Sequence, residues 1–225
     1  MKITSIAWLG FALLAPACVL NAEPARSSQT VISFAGGSVW NADYSGGTCV
    51  WYLPVVSDMD LATLFSDPQK PSKETAYLVW VSEFTVSMLP ADPPFSAPPA
   101  STQAAYAYVL ANAGTGTVYY HTDPSKRIWP KIAAGVTITP ADLKKMEWGT
   151  PVATFTRNAS IVRSADGLAS DNFIFTAELL HSQPFVLPNG KLFDFSDLIP
   201  HGMTCHEFGQ QGSSWESGTC LARGR

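Results

Sequence analysis

The sequence predicts an all-β protein, mainly antiparallel, built as a β-sandwich or a closed β-barrel with one or two short peripheral helices. Short runs of β-branched and aromatic residues recur along the chain, and turn clusters rich in Gly, Pro, Asn and Asp separate them. With 46% hydrophobic and 14% charged residues, the chain is apolar enough to form a core. The pattern does not distinguish a sandwich from a barrel, so both architectures stay open.

The predicted strands follow one another through most of the chain. Residues 77–88 are the clearest strand, because Phe84, Val86 and Met88 alternate with polar residues. Residues 185–187 and 192–195 flank a Pro-Asn-Gly-Lys turn, which predicts a hairpin. Further strands are predicted at 31–34, 38–40, 48–56, 117–122, 136–138, 152–162 and 172–181. Residues 104–113 fit a strand or a helix, and the alternation of Tyr106 and Tyr108 with Ala favours the strand.

Two short helices are predicted between these strands. Ser57 is a suitable N-cap for residues 57–65, and acidic residues occupy the first turn of that segment. Thr139 is a suitable N-cap for residues 139–146, and Pro140 occupies the first helical position, where no backbone donor is needed.

Residues 1–22 are predicted to be a secretory signal peptide. Lys2 precedes an apolar run, and small residues come before the polar stretch that starts at Glu23. The apolar run is short for a membrane span and no later stretch is longer, so no transmembrane segment is predicted. Cleavage before Cys18, with a lipid anchor on that residue, is the alternative. We therefore expect a secreted protein, periplasmic or extracellular.

Residues 23–225 are predicted to form a single mostly-β domain. The Pro-rich stretch 89–101 is expected to be a loop of that domain, and residues 201–225 a segment closed by a disulfide between Cys205 and Cys220. A bridge over a loop of this length contributes about 3 kcal/mol in the chain-entropy model. The pairing of Cys49 stays open; if unpaired, it is expected to be a buried small hydrophobic residue.

Charge and missing motifs exclude several classes of protein. The formal net charge is −4 and no basic cluster exists, which argues against a nucleic-acid partner. No G-x-S-x-G motif is present, and His206 starts an H-E-x-x-H pattern in which Gln210 replaces the second His. No cofactor is expected.

Candidate catalytic residues are few. Two histidines stand at the ends of predicted strands, where enzymes often place acid–base groups, and two glutamates lie inside strands. Glycoside hydrolases use two such carboxylates that face one cavity. The four candidates are His121, His181, Glu83 and Glu178.

No metal site is expected. The candidates, if one existed, are His201 and His206, which lie close in sequence to Cys205 and Glu207. A disulfide-anchored segment with surface histidines explains the same residues without a metal.

Four aromatic residues around a Gly-rich turn are candidates for ligand binding. Flat rings stack on sugar faces and also mark protein interfaces, although large aromatic residues more commonly lie in the core. These four are Trp40, Tyr44, Trp51 and Tyr52.

These observations favour an exported, non-catalytic binding or structural module. Its partner would be a small molecule, a carbohydrate or a protein, and the sequence does not identify which. The alternative is a secreted hydrolase or isomerase that uses Glu and His residues in a barrel or sandwich cleft. A third possibility is a subunit whose 89–101 loop docks a partner protein.

Overall fold

The computed structural model describes residues 30–42, 45–56, 59–60, 66–67, 70–85, 87–88, 107–110, 114–128, 137–163, 170–210 and 216–223. The strands are β1 (Thr30–Trp40), β2 (Gly46–Val56), β3 (Met59–Asp60), β4 (Ser66–Asp67), β5 (Lys70–Glu74), β6 (Tyr77–Thr85), β7 (Ser87–Met88), β8 (Ala107–Leu110), β9 (Thr115–His121), β10 (Thr150–Thr156), β11 (Asn158–Arg163), β12 (Ser170–Ala177), β13 (Leu179–Ser182), β14 (Phe185–Val186), β15 (Leu192–Phe193), β16 (Met203–Gln210) and β17 (Glu216–Ala222). The helices are a 3-10 turn (Pro124–Lys126), α1 (Pro140–Leu143) and α2 (Phe195–Leu198).

Antiparallel pairing joins most of these strands into one ring, whereas β4 with β5 and β14 with β15 form separate two-stranded sheets. β10 and β11 are separated by one residue, as are β12 and β13, so each pair of segments acts as one longer strand. Pairing runs from β1 through β2, β6 and β9 to β10, then through the β10–β13 and β11–β12 ladders to β16, β17 and back to β1. The sheet is nearly closed and barrel-like. This confirms the predicted all-β, mainly antiparallel class and favours the barrel over the sandwich.

The interior of the barrel is filled with side chains. Residues alternate along each strand, so on β2 Cys49, Trp51 and Leu53 face inward whereas Val50 and Tyr52 face outward. A ring of about eight strands has an interior that side chains just fill. The largest wholly buried side chains are Trp51, Trp80, Arg157, Phe34, Phe155 and Phe175.

One glycine makes this filling possible. A Cβ at Gly116 on β9 would lie 1.9 Å from Nε1 of Trp80 on the neighbouring strand β6. Only a residue without a side chain lets the N–H edge of the indole approach β9 this closely.

The end of the barrel where β1 begins and β2 ends, which we call the lower end, is closed by residues 183–202. The β14–β15 hairpin and α2 bring Phe185, Phe193 and Phe195 together, with ring centroids 5.2–6.5 Å apart. Phe185 also packs on Tyr120, and Phe195 packs on Phe155. The hairpin predicted around Pro-Asn-Gly-Lys is confirmed, although Phe195 starts α2 instead of ending a strand.

The segment between β9 and β10 covers part of the outer surface. Ile128 and Leu143 are buried there against outward-facing residues of β2 and β6, including Val50 and Val79. Leu143 belongs to α1, whose N-cap is Thr139. The Thr139 hydroxyl accepts from the backbone N–H of Asp142, and the Asp142 carboxylate accepts from the backbone N–H of Thr139.

The helix predicted at 139–146 is therefore confirmed, with helical residues Pro140–Leu143. Two local predictions are wrong. Met59–Asp60 form β3 against the end of β2 instead of a helix, and the other residues of 57–65 lie outside the described residues. Residues 137–138 do not form the predicted strand; Ile138 packs on the outer face instead. Among the described residues, no helix has the length and apolar character that crossing a membrane requires.

A disulfide joins the last two strands of the ring. Cys205 on β16 and Cys220 on β17 are opposite each other in the register, with their Cα atoms 4.0 Å apart, and they form the predicted bridge. Both residues face the interior and are buried. Cys49 is a free, buried thiol.

Candidate functional site

A group of polar side chains lies inside the barrel, toward the upper end that carries the β1–β2 turn. Arg157 stands between β10 and β11, and its backbone N–H donates to the carbonyl of Gly114. Its guanidinium carbon lies 4.5 Å from the ring centroid of Trp51 and 4.7 Å from that of Phe175. The charge is therefore held between two aromatic faces, where a cation–π attraction partly replaces lost hydration.

Hydrogen bonds and charge connect Arg157 directly to residues of β2 and β16, and through Cys49 to β1. Nη2 lies 3.6 Å from a carboxylate oxygen of Glu207 on β16, and both side chains are buried. Nη1 donates to Sγ of Cys49 on β2 at 3.0 Å. The hydroxyl of Ser38 on β1 lies 3.2 Å from the same sulfur. Within the described part of the chain, Nε of Arg157 has no hydrogen-bond partner.

A second carboxylate completes this interior polar cluster, which we define as Ser38, Cys49, Arg157, Glu207 and Glu216. The indole N–H of Trp51 donates to the carboxylate of Glu216 on β17 at 2.8 Å. The cavity that the cluster borders has a volume of about 10 Å³. This is room for about one water molecule and excludes a larger ligand from the cluster in this conformation.

The chemistry of the cluster is limited. Burial raises the pKa of the Cys49 thiol to about 12, although Arg157 acts on it in the opposite direction. The thiol stays protonated at neutral pH and is a poor nucleophile, because the thiolate is the reactive form. The cluster therefore has the character of a buried, largely charge-compensated network and not of a nucleophilic catalytic centre.

A separate groove lies on the outer face near the upper end, and we call it the outer groove. One wall comes from the outward side of β2 and β6, and the other from α1 and the residues that follow it. Its volume is about 490 Å³, which is within the range of small-molecule sites. The residues that line it include Thr48, Val81, Glu83, Lys144, Met146 and Trp148.

The outer groove combines apolar surface with polar groups that are available for binding. Val81, Met146 and Trp148 pack partly against the buried residues beneath the groove. Among the described residues, none forms an ion pair or hydrogen bond with the carboxylate of Glu83 or the ammonium of Lys144. One acceptor and one charged donor are thus free to meet a ligand beside an indole ring.

The aromatic residues predicted to bind a ligand do not form one surface. Trp51 is buried inside the barrel, beside the interior polar cluster. Trp40 packs edge-on against Phe84, with ring centroids 4.9 Å apart. Tyr52 faces outward, where its hydroxyl accepts from the backbone N–H of Ile128. Tyr44 lies outside the described residues.

The four catalytic candidates are dispersed. His121 stacks on Tyr77 with centroids 5.1 Å apart, and its Nδ1 accepts from the backbone N–H of Asp123. His181 is exposed on β13, and Glu178 forms an exposed ion pair with Arg223 at 3.2 Å. Glu83 lies three strand positions from β13, which is about 14 Å across the sheet. The structure does not bring the two glutamates to one cavity.

The metal candidates also diverge. His206 faces outward and contacts the ring of Phe208, whereas Glu207 faces the interior and Cys205 is held in the disulfide. His201 is exposed in the turn before β16. Among the residues that the structure describes, no group of three His, Cys, Asp or Glu side chains could hold a metal ion.

Sequence reasoning did not identify Arg157 or Lys144 as site residues. Arg157 did carry a usable signal, since it is two residues from the inward-facing Phe155 and strand alternation places both on the same side. Glu207 is likewise two residues from Cys205. Lys144 carried no signal, because its position depends on how the covering segment packs on the barrel.

Comparison with protein-family models, with curated proteins and with solved structures finds no match to this chain.

Proposed function

We propose that the protein is an exported, non-catalytic binding module that holds a small ligand in the outer groove. The observation that carries the proposal is the difference in free space between two regions. The groove has a volume of about 490 Å³, whereas the cavity at the interior polar cluster has about 10 Å³. Export is supported by the predicted leader and by the Cys205–Cys220 bond, because disulfides persist in oxidising compartments.

The lining of the groove favours a ligand with both an apolar face and hydroxyl groups, such as a sugar ring. Trp148 offers an indole and Met146 a thioether for the apolar face. Glu83 and Thr48 offer acceptors, and Lys144 offers a charged donor. One positive and one negative side chain give no preference for a strongly charged ligand, so a neutral ligand fits better than a phosphate ester.

Saturation-transfer NMR with a panel of neutral mono- and disaccharides and small apolar ring compounds tests this proposal. The best-binding compound is then titrated against Glu83→Gln and Lys144→Ala. Each variant is expected to weaken binding about tenfold, because it removes one charge-assisted hydrogen bond.

Glu178→Gln is the matched control, since Glu178 is an exposed carboxylate on a strand far from the groove. It is expected to leave affinity unchanged. Saturation transfer from no member of the panel, or equal losses in the groove variants and the control, would contradict the proposal. Finding the protein in the cytosol with residues 1–22 still attached would contradict the export part separately.

A further inference from the structure

One outer face of the barrel is not covered by the described residues between β9 and β10, which are 122–128 and 137–149. It is formed by the outward-facing residues of β12, β16, β17 and β1, and we call it the bare face. Three large apolar side chains lie on it, with exposed fractions of 57% for Ile174, 51% for Phe208 and 41% for Leu221. Exposed apolar groups gathered on adjacent strands commonly mark an interaction surface.

The strand register fixes how these residues are arranged. One row across the sheet runs from Ile174 through His206 and Thr219 to Ser33. The row above it contains Phe208 and Ser217, and the row below it contains Thr204 and Leu221. The three large apolar residues therefore lie in three successive rows and on three different strands.

The bare face carries no Asp, Glu, Lys or Arg at its described outward positions in these three rows. The remaining described positions are Thr, Ser, Ala and His206. Charge returns in the next row down, where Glu178 pairs with Arg223. A face without charged side chains cannot form complementary ion pairs with a charged partner protein. It can pack against a second copy of itself without like-charge repulsion.

Shape also favours a second copy. Consider a two-fold axis that runs parallel to the strands and passes between β16 and β17. It places Phe208 opposite Ser217 of the second copy, Leu221 opposite Thr204, and Ile174 opposite Ser33. Each large side chain then faces a small one, which is the self-complementarity that an isologous interface requires.

We propose that the bare face is a homodimer interface, in which the sheets of two copies pack face to face. Four strands and three rows span about 19 Å by 20 Å, or about 400 Å² in projection. This is about half of the 800 Å² per partner in a standard interface, so the dimer is weak and forms at high protein concentration. The interface does not include the outer groove, so it is independent of the proposed ligand site.

Analytical ultracentrifugation of the disulfide-bonded protein, from micromolar to submillimolar concentration, tests the dimer. The mean mass is expected to rise toward twice the monomer mass with concentration. Ile174→Glu and Phe208→Glu are expected to stay monomeric throughout. Val186→Glu and Leu192→Glu are the matched controls, because these residues are 56% and 63% exposed but lie on the β14–β15 hairpin. The controls are expected to dimerise like the unchanged protein.

A crosslink tests the two-fold arrangement itself. Ile174 and Ser33 lie three strand positions apart within one chain, yet the axis brings Cys residues at these two positions together between copies. Mixing the two single variants under mild oxidation is expected to give the mixed disulfide dimer faster than either variant alone. A monomer at every concentration overturns the proposal, as does equal loss of dimer in the face variants and the hairpin controls. Absence of preferential mixed crosslinking overturns it as well.

Discussion

A guanidinium buried between two aromatic rings loses the hydration that stabilises it in water, and its partners must compensate for that loss. Arg157 has a carboxylate at 3.6 Å, a thiol at 3.0 Å and two ring faces, but its Nε has no acceptor within the described part of the chain. Buried ion pairs of this kind rarely add net stability over well-packed apolar residues. The pair does, however, raise the free energy of any state in which one of the two charges is buried without the other.

This argument predicts opposite results for single and double substitution at the residue scale. Arg157→Met alone leaves the Glu207 carboxylate buried without its cation, so the free energy of unfolding is expected to fall by about 3–5 kcal/mol. Arg157→Met combined with Glu207→Met removes both charges, and stability is expected to return to within about 1 kcal/mol of the unchanged protein or to exceed it. Urea denaturation at neutral pH measures both.

The exposed pair of Glu178 and Arg223 provides the control for this prediction. These side chains are 58% and 42% exposed, so Arg223→Met is expected to cost less than about 1 kcal/mol. A double variant no more stable than Arg157→Met would show that the two charges do not act as a pair.

At the scale of strands and hairpins, the disulfide acts on the last hairpin of the ring. Cys205 and Cys220 lie on β16 and β17, and β17 pairs with β1 to complete the ring. A bond that holds β16 against β17 therefore presents β17 to β1 in the correct register. The bond closes a 15-residue separation, which restricts the unfolded chain as well as the folded one.

Replacing both cysteines, as Cys205→Ala with Cys220→Ala, is expected to lower the free energy of unfolding by about 3 kcal/mol. Guanidinium denaturation with and without dithiothreitol measures the effect. Reductant is expected to lower the stability of the unchanged protein and to leave the double variant unaffected. An equal response of both proteins to reductant would mean that the bond does not contribute in this way.

The same scale shows why some elements were predictable from sequence and others were not. The α1 helix depends on a cap between Thr139 and Asp142, three residues apart, and local pattern was sufficient to predict it. Residues 57–65 carry an equally good local cap, but Met59–Asp60 instead pair with the end of β2. Pairing with the immediately preceding strand overrode the helix preference there, so a short hairpin and not a distant contact decided the outcome. The disulfide pair was predictable because its two cysteines lie on one hairpin.

The arrangement of the candidate sites was largely beyond sequence. Glu83 was a candidate from its place in a strand, but its neighbour Lys144 in the outer groove comes from a segment about 60 residues later. The choice between sandwich and barrel depends on the pairing of β1 with β17, at opposite ends of the described chain. Alternation predicts which way a side chain faces, but it does not predict which distant strand lies beside it.

For the molecule as a whole, the barrel has a filled interior, one covered outer face and one bare outer face. Because the interior is filled, a ligand or partner can bind only on the outer surface. This agrees with the proposed ligand site in the outer groove and the proposed dimer contact on the bare face. A filled interior also means that a buried group reaches solvent only when the sheet opens. Cys49 faces the interior polar cluster and is the free thiol that reports such opening.

The titration of Cys49 gives a prediction about the stability of the entire barrel. Its pKa is about 12 in the folded protein against an ordinary value of 9.0, chiefly because of burial. A raised pKa means that the folded state holds the proton more tightly, so this contribution is fully present below pH 9 and is lost as pH rises from 9 to 12. The free energy of unfolding is expected to fall in that window by up to about 1.4 kcal/mol per pH unit more in the unchanged protein than in Cys49→Ala. Denaturant titrations of both proteins over this pH range measure the difference in stability. Taking the difference removes the effect of Tyr and Lys titrations, because these are common to both proteins. Non-reducing peptide mapping checks that the Cys205–Cys220 bond has not exchanged. Parallel pH profiles for the two proteins would show that the thiol is solvated in the folded state and that the interior is more open than the packing around Arg157 implies.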